Sequence, residues 1–297
     1  ITATGLGTGL DVEGIVTSLV LADIQPAEQR LNANETKFQE QLSAYGSVKG
    51  ALSVFQTAAN TVGTAANYQK KAASTSLLSD VGVSAKGGAA VGTYDIAVSA
   101  LASAHSLASS AFTTTSDVVG TGTLSIELGT TAYNSDTDVY TSFTPQTGTS
   151  AVSITIDSTN NTLAGVRDAI NASTTAGIKA SIVNDGAGYR LVLTSSSTGA
   201  DNSIALSVTD TGDSNNTDAS GLSRLSFNSS STNLSQTKAA SDAALTINGL
   251  AVTSASNEVT TAIDDVTLTL KKVTTAPVTV SVTEDTAAAK ADIVSFV

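Results

Sequence analysis

The main change in the spacing of apolar residues along this chain falls near residue 68, and it constrains the fold more than any other property. Before it, apolar side chains recur at intervals of three, four and seven; after it, at every second position. The first spacing places side chains on one face of a helix, the second on one face of a strand. The sequence therefore predicts a helical segment followed by a long β-rich one.

Residues 1–66 carry the helical spacing. Thr8 or Asp11 can cap the start, ahead of Val12, Ile15, Val16, Leu19 and Val20. Pro26 lacks an amide hydrogen and biases Gln25 away from helical angles, so a break is expected there. A second helix is expected from Ala27 to Val62. Its apolar residues Leu31, Phe38, Tyr45, Leu52 and Ala59 keep a seven-residue beat, joined by Val48, Phe55 and Val62 three residues after the last three. That is the seam of a coiled coil, although a helix facing an ordinary core produces the same beats, and Asn34, Gly46 and Gly50 weaken the pattern. A seam this long needs a partner helix, and none lies nearby in the sequence. The partner must come from another subunit or a distant part of the chain.

From Tyr68 to Glu284 the pattern is VGVSA (81–85), TYDIAVSAL (93–101), TLSIEL (123–128), AVSITID (151–157), IKASIV (178–183), YRLVLTS (189–195), NSIALSV (202–208), ALTING (244–249), DVTLTLKK (265–272) and VTVSVT (278–283). Such alternation reads as antiparallel strands with one buried and one wet face. One helix interrupts them at TLAGVRDAINAS, where Leu163, Val166 and Ile170 share a face. The stretch 194–238 is rich in Ser, Thr and Asn and reads as exposed loops over a sparse core. The terminal EDTAAAKADIVSFV starts a helix, capped by Asp285 or Thr286, with Ala289, Ile293, Phe296 and Val297 on one side. It ends without a cap, so the natural chain is expected to continue.

Composition narrows function mainly by exclusion. The 297 residues suffice for about two domains. Aromatics are only 4 %, so the cores must be filled by Val, Ile, Leu and Ala. A formal charge of −12 repels nucleic-acid phosphate and anionic membranes. With no cysteine there is no disulfide, thiolate metal site or cysteine nucleophile. The first twenty residues hold Asp11 and Glu13 but no Lys or Arg, unlike a secretory signal, and no run of 18 apolar residues occurs.

Motifs that suggest chemistry dissolve on inspection. GLGTGL places Gly5, Gly7 and Gly9 as G-x-G-x-G, with Leu10 where a dinucleotide loop needs its third glycine and no strand ahead of it. It reads as a hinge before an apolar helix tip. The triplet at Asp210–Gly212 matches an aspartic-protease signature in one copy, where two carboxylates must meet, and reads as a turn. Asn134, Asp136 and Asp138 begin like a calcium loop, but Val139 replaces the turn glycine and Pro145 the final glutamate. His105, the single histidine, has no partners for a typical zinc site and is expected at a surface or strand end. The sequons at Asn34, Asn160, Asn171, Asn215, Asn228 and Asn233 carry little weight alone.

Three stretches together resemble the bacterial flagellar hook-associated protein 2 family, the filament cap proteins. The first is residues 5–62, a glycine-rich start, Leu-Asp, a helix, a proline, then a long helix containing SAYG (43–46). The second, 162–199, looks like the flagellar hook IN motif. The third, 245–297, is similar to the start of the family's C-terminal region. They cover roughly half of the chain in the family's order.

The resemblance implies an α+β multidomain fold: an N-terminal helical leg (1–67), a β-rich head domain (68–120 with 240–284), an inserted β-rich head domain with one helix (121–239), and the start of a leg helix (285–297). It implies a homopentameric cap at the extracellular flagellum tip, exported by the flagellar type III pathway. Flagellin and the hook–filament junction proteins would be its partners, and no catalytic residue, cofactor or metal is implied. The contact residues expected from seam and tip are Leu6, Leu10, Ile15, Leu19, Leu31, Phe38, Tyr45, Val48, Leu52, Phe55 and Val62. A second reading makes the heads an adhesin for host glycans such as mucin. A third, an enzyme, rests only on the motifs set aside above.

Overall fold

A computed structural model describes residues 11–134, 136, 137 and 139–296. The glycine-rich opening, with Leu6, Leu10 and the possible cap Thr8, lies outside the described residues, as does Asp138. The chain divides into two units, one of residues 1–68 with 286–297 and one of residues 69–285.

The first unit is built on α1 (Val12–Gly63), a single helix of 52 residues. Asp11 is its N-cap, the carboxylate accepting from the Gly14 amide at 2.9 Å, and Glu13 favours the positive end of the helix. The break expected at Pro26 does not occur, because the helix runs through it. A proline inside a helix removes one hydrogen bond and crowds the preceding turn, at a cost of about 3 kcal/mol. The continuous ladder on both sides exceeds that local loss. Along α1 Thr17, Thr36, Ser47, Thr57 and Thr61 each return a hydroxyl hydrogen bond to the carbonyl four residues back. After a short 3-10 turn at Ala65–Tyr68, this unit resumes with α3 (Thr286–Phe296), numbered in chain order after α2 (Leu163–Ala172).

Among the described residues the second unit holds four antiparallel sheets around two hydrophobic cores. Its first strand, Lys71–Thr75, pairs with its last, Val278–Glu284, and Lys71 meets Glu284 at 2.6 Å, so this unit begins and ends side by side. These two belong to a five-stranded sheet completed by Gly92–Ala100, Ala243–Ile247 and Leu250–Ser254. A three-stranded sheet of Glu258–Ile263, Val266–Leu270 and Val81–Ala85 faces the same core, filled by Ile96, Leu245, Leu268 and Val280. As the scarcity of aromatics requires, aliphatic side chains do most of the packing.

The other core lies between a six-stranded and a four-stranded sheet. Gly122–Asn134 is the central strand of the larger sheet, with Ser203–Asp210 on one side and both Val139–Pro145 and Val152–Ile156 on the other. The smaller sheet orders Ser235–Lys238, Ser106–Ala108, Tyr189–Ser195 and Ile178–Asn184. Helix α2, capped by Thr162, buries Leu163, Val166 and Ile170 completely, the face expected from their spacing. Chain segments pass from one core to the other at Ser103 and Ser241, which bridge each other. Leu107, Phe112 and Val119 pack in this second core. The fold is thus a long helix plus two β-rich heads, one inserted in the other.

Two expectations need correction here. Residues 194–238 do not form loops over a sparse core, since Leu222, Leu225, Phe227 and Leu234 are at most 1 % exposed. Their spacing is too irregular to show a period, and side chains organise the backbone instead. Asn233 Nδ2 donates to the Asp218 and Ser223 carbonyls, and Asp210 Oδ2 accepts from the Leu222 and Ser223 amides. His105 stands at a strand end as expected but is fully buried, not on the surface.

Candidate assembly interface

None of the 52 described residues of α1 is buried. A helix normally hides about a third of its circumference against a core, and this one instead displays its apolar residues. Of the contact residues expected from sequence, Ile15, Leu19, Leu31, Phe38, Tyr45, Val48, Leu52 and Phe55 are between 46 % and 74 % exposed. Val62 is half-buried, and Leu6 and Leu10 lie outside the described residues.

Helix α3 packs on the C-terminal end of α1, with the Phe296 and Phe55 rings 5.7 Å apart. Ala58, Ala59, Thr61 and Val62, near that end, are half-buried. The rest of the seam lies open. Two shallow grooves lie along α1. One is lined by Leu31, Asn34, Glu35, Phe38, Gln39 and Leu42, the other by Asp11, Gly14, Ile15, Ser18, Leu19 and Ala22. Leu42, 74 % exposed, was missed because it falls off the seven-residue beat. Its signal was the four-residue step from Phe38, which puts both on one helical row.

The motifs set aside for chemistry have structural duties. Asp210 is 3 % exposed and accepts from the amides of Gly212, Leu222 and Ser223, so it anchors the 3-10 turn Gly221–Leu225. Asn134 Oδ1 accepts from the Asp136 and Thr137 amides, forming a hairpin turn. Asn171 clamps α2 to a neighbouring strand through both ends of its amide. Among the described residues no group of three or more His, Asp or Glu side chains could hold a metal ion, and no helix is long and apolar enough to cross a membrane.

Family models match the chain in three places. Residues 8–105 match the flagellar hook-associated protein 2 N-terminus, residues 240–297 its C-terminus, and residues 123–197 the flagellin hook IN motif. The IN match begins well ahead of residue 162, taking in the central strand of the six-stranded sheet. The B-type flagellar hook-associated protein 2 of Pseudomonas aeruginosa strain PAO1 is 34 % identical over 99 % of this chain, which spans 60 % of that protein. The structure of the flagellar cap protein FliD D1-D2-D3 domains from Escherichia coli superposes with a TM-score of 0.70 at 33 % identity, over 86 % of this chain and 66 % of that one. That of FliD (HAP2) from Pseudomonas aeruginosa PAO1 gives 0.56 at 33 % identity, over 73 % and 90 %. The adhesive alternative finds no support among these relatives. With two terminal models in the expected order, relatives above 30 % identity and a shared fold, the chain belongs to the flagellar hook-associated protein 2 family.

Proposed function

We propose that this chain supplies the leg and head of a homo-oligomeric cap at the extracellular tip of the flagellar filament, where it promotes folding and insertion of exported flagellin. The observation that carries the reading is the uncovered seam of α1, a long row of exposed apolar side chains with no core of its own. Leu31, Phe38, Tyr45, Val48, Leu52, Phe55 and Val62, with the tip residues Leu6, Leu10, Ile15 and Leu19, dock on neighbouring subunits or the filament. The heads form a plate at the filament tip. The named relatives, a flagellar hook-associated protein and flagellar cap proteins, support the same reading. Export through the flagellar type III channel suits a cysteine-free chain with few aromatics, since a core of small aliphatic side chains unfolds at modest cost. The role is mechanical, with no catalytic step.

The test is the double substitution Phe38→Glu and Leu52→Glu in the full-length protein. Sedimentation should show loss of the oligomer, and a strain carrying only this variant should secrete flagellin without elongating filaments. Melting of the heads should stay unchanged. An intact oligomer with normal filaments would remove the seam from the assembly.

A further inference from the structure

The single histidine sits where the two sheets of the inserted head meet. It directly precedes Ser106–Ala108 of the four-stranded sheet, and its Nδ1 accepts from the backbone amide of Ile204 in the six-stranded sheet at 2.8 Å. Its Nε2 lies 2.8 Å from Gln236 Oε1 on the strand Ser235–Lys238. The ring stands 5.9 Å from that of Phe227, and the backbone of His105 is tied to Ser195 through both its amide and its carbonyl. One residue thus joins four strands from both sheets at a point with no solvent access.

The bond to Ile204 dictates the tautomer. A backbone amide only donates, so Nδ1 must be unprotonated and Nε2 must carry the hydrogen given to Gln236. We propose that His105 is an acid-sensitive keystone of the inserted head: a proton taken from solvent onto Nδ1 sets two donors face to face at Ile204, and the sheets part there. The other head has no such group in its core and stays closed.

The surroundings offer the cation no compensation. Burial pushes the imidazole below its usual range, and only the Gln236 bond opposes this. The ionisable groups on the adjoining elements are engaged or exposed elsewhere. Arg190 pairs with Asp185, Asp210 holds backbone amides, Asp201 accepts from Thr130 and Asp242 from the Ala200 amide. Lys238 is exposed, and Tyr189 is half-buried at the far end of its strand. The sign follows. The closed head binds this proton more weakly than the opened head, so the stability His105 contributes is complete above pH of about 6.5 and is lost as pH falls below it.

The cysteine-free chain allows a direct test with one reporter thiol in each head. Ala180→Cys reports on the inserted core and Ala243→Cys on the other, both sites being buried. The ratio of their labelling rates cancels the intrinsic pH dependence of the thiol. Between pH 7.5 and 5.5 the ratio should rise about tenfold in favour of the inserted head. His105→Asn keeps an acceptor near Ile204 and cannot titrate, so it should flatten the rise. An unchanged ratio, or an equal rise in His105→Asn, would overturn the proposal. If that variant does not fold, ring nitrogen NMR of the lone histidine decides: Nε2-protonated with a pKa below 6.5 supports it, and a pKa at or above 6.5 overturns it.

Discussion

Asn171 and Ala180 form a closed two-bond pair: the side-chain Nδ2 donates to the Ala180 carbonyl at 2.8 Å, and Oδ1 accepts from the Ala180 amide at 2.9 Å. The amide group acts as one residue of an extra strand along Ile178–Asn184, the outer strand of its sheet. Ile170, the preceding residue, is fully buried, so adjacent residues on α2 respectively anchor in the core and clamp the edge. Asn257 makes the same pair with Ala102 in the other head.

Replacing Asn171 with Ala leaves both backbone groups of Ala180 without their partners. The expected loss is about 1–3 kcal/mol from the inserted head. Denaturant unfolding of Asn171→Ala and Asn257→Ala checks it, with the first lowering only the inserted-head transition and the second only the other.

Asp210 offers a sharper case because its substitute is isosteric. Oδ1 accepts from the Gly212 amide at 2.7 Å, and Oδ2 from the Leu222 amide at 2.6 Å. Either orientation of an asparagine amide therefore points a donor at a donor. Asp210→Asn is expected to cost about 2–3 kcal/mol, read as a lower urea midpoint of the inserted head. Gly221→Ala should do comparable harm, since Gly221 has φ of 56° and a Cβ there collides with Asp210 Oδ2.

Pro26 interrupts the hydrogen-bond ladder of an otherwise continuous helix. Pro26→Ala restores the missing amide and is expected to stabilise α1 locally by about 3 kcal/mol. Amide hydrogen exchange in peptides spanning residues 20–32 should slow by about a hundredfold. Unchanged protection would mean that the ladder is already open there.

The acid and seam predictions concern different units of the molecule. His105 acts within the core of residues 69–285, whereas Phe38 and Leu52 lie on α1. A variant at one should leave the other's readout unchanged, which keeps failures of the two proposals distinguishable.

Much of this fold was legible from residue spacing alone. The strand Tyr189–Ser195 falls at its expected bounds, and α2 buries its expected face, because alternating or three-to-four spacing is a local consequence of backbone geometry. Strands such as Ser235–Lys238 and Leu250–Ser254 were not legible. They lie on sheet edges, where one side has no neighbour and little burial imposes a pattern. The continuity of α1 through Pro26 was likewise hidden, since a local penalty cannot reveal the ladder that exceeds it.

The exposed seam of α1 was readable as a pattern lacking a nearby partner, and that much the sequence determined by itself. The uses of single polar residues were decided only by tertiary structure. Asp210 read as part of a turn, Asn171 as part of a sequon and His105 as a surface or strand-end residue, yet each satisfies backbone groups on another element. Spacing encodes which side of an element meets a core. It carries no record of which remote amide or carbonyl a buried polar atom must satisfy, because that partner exists only once the sheets have come together.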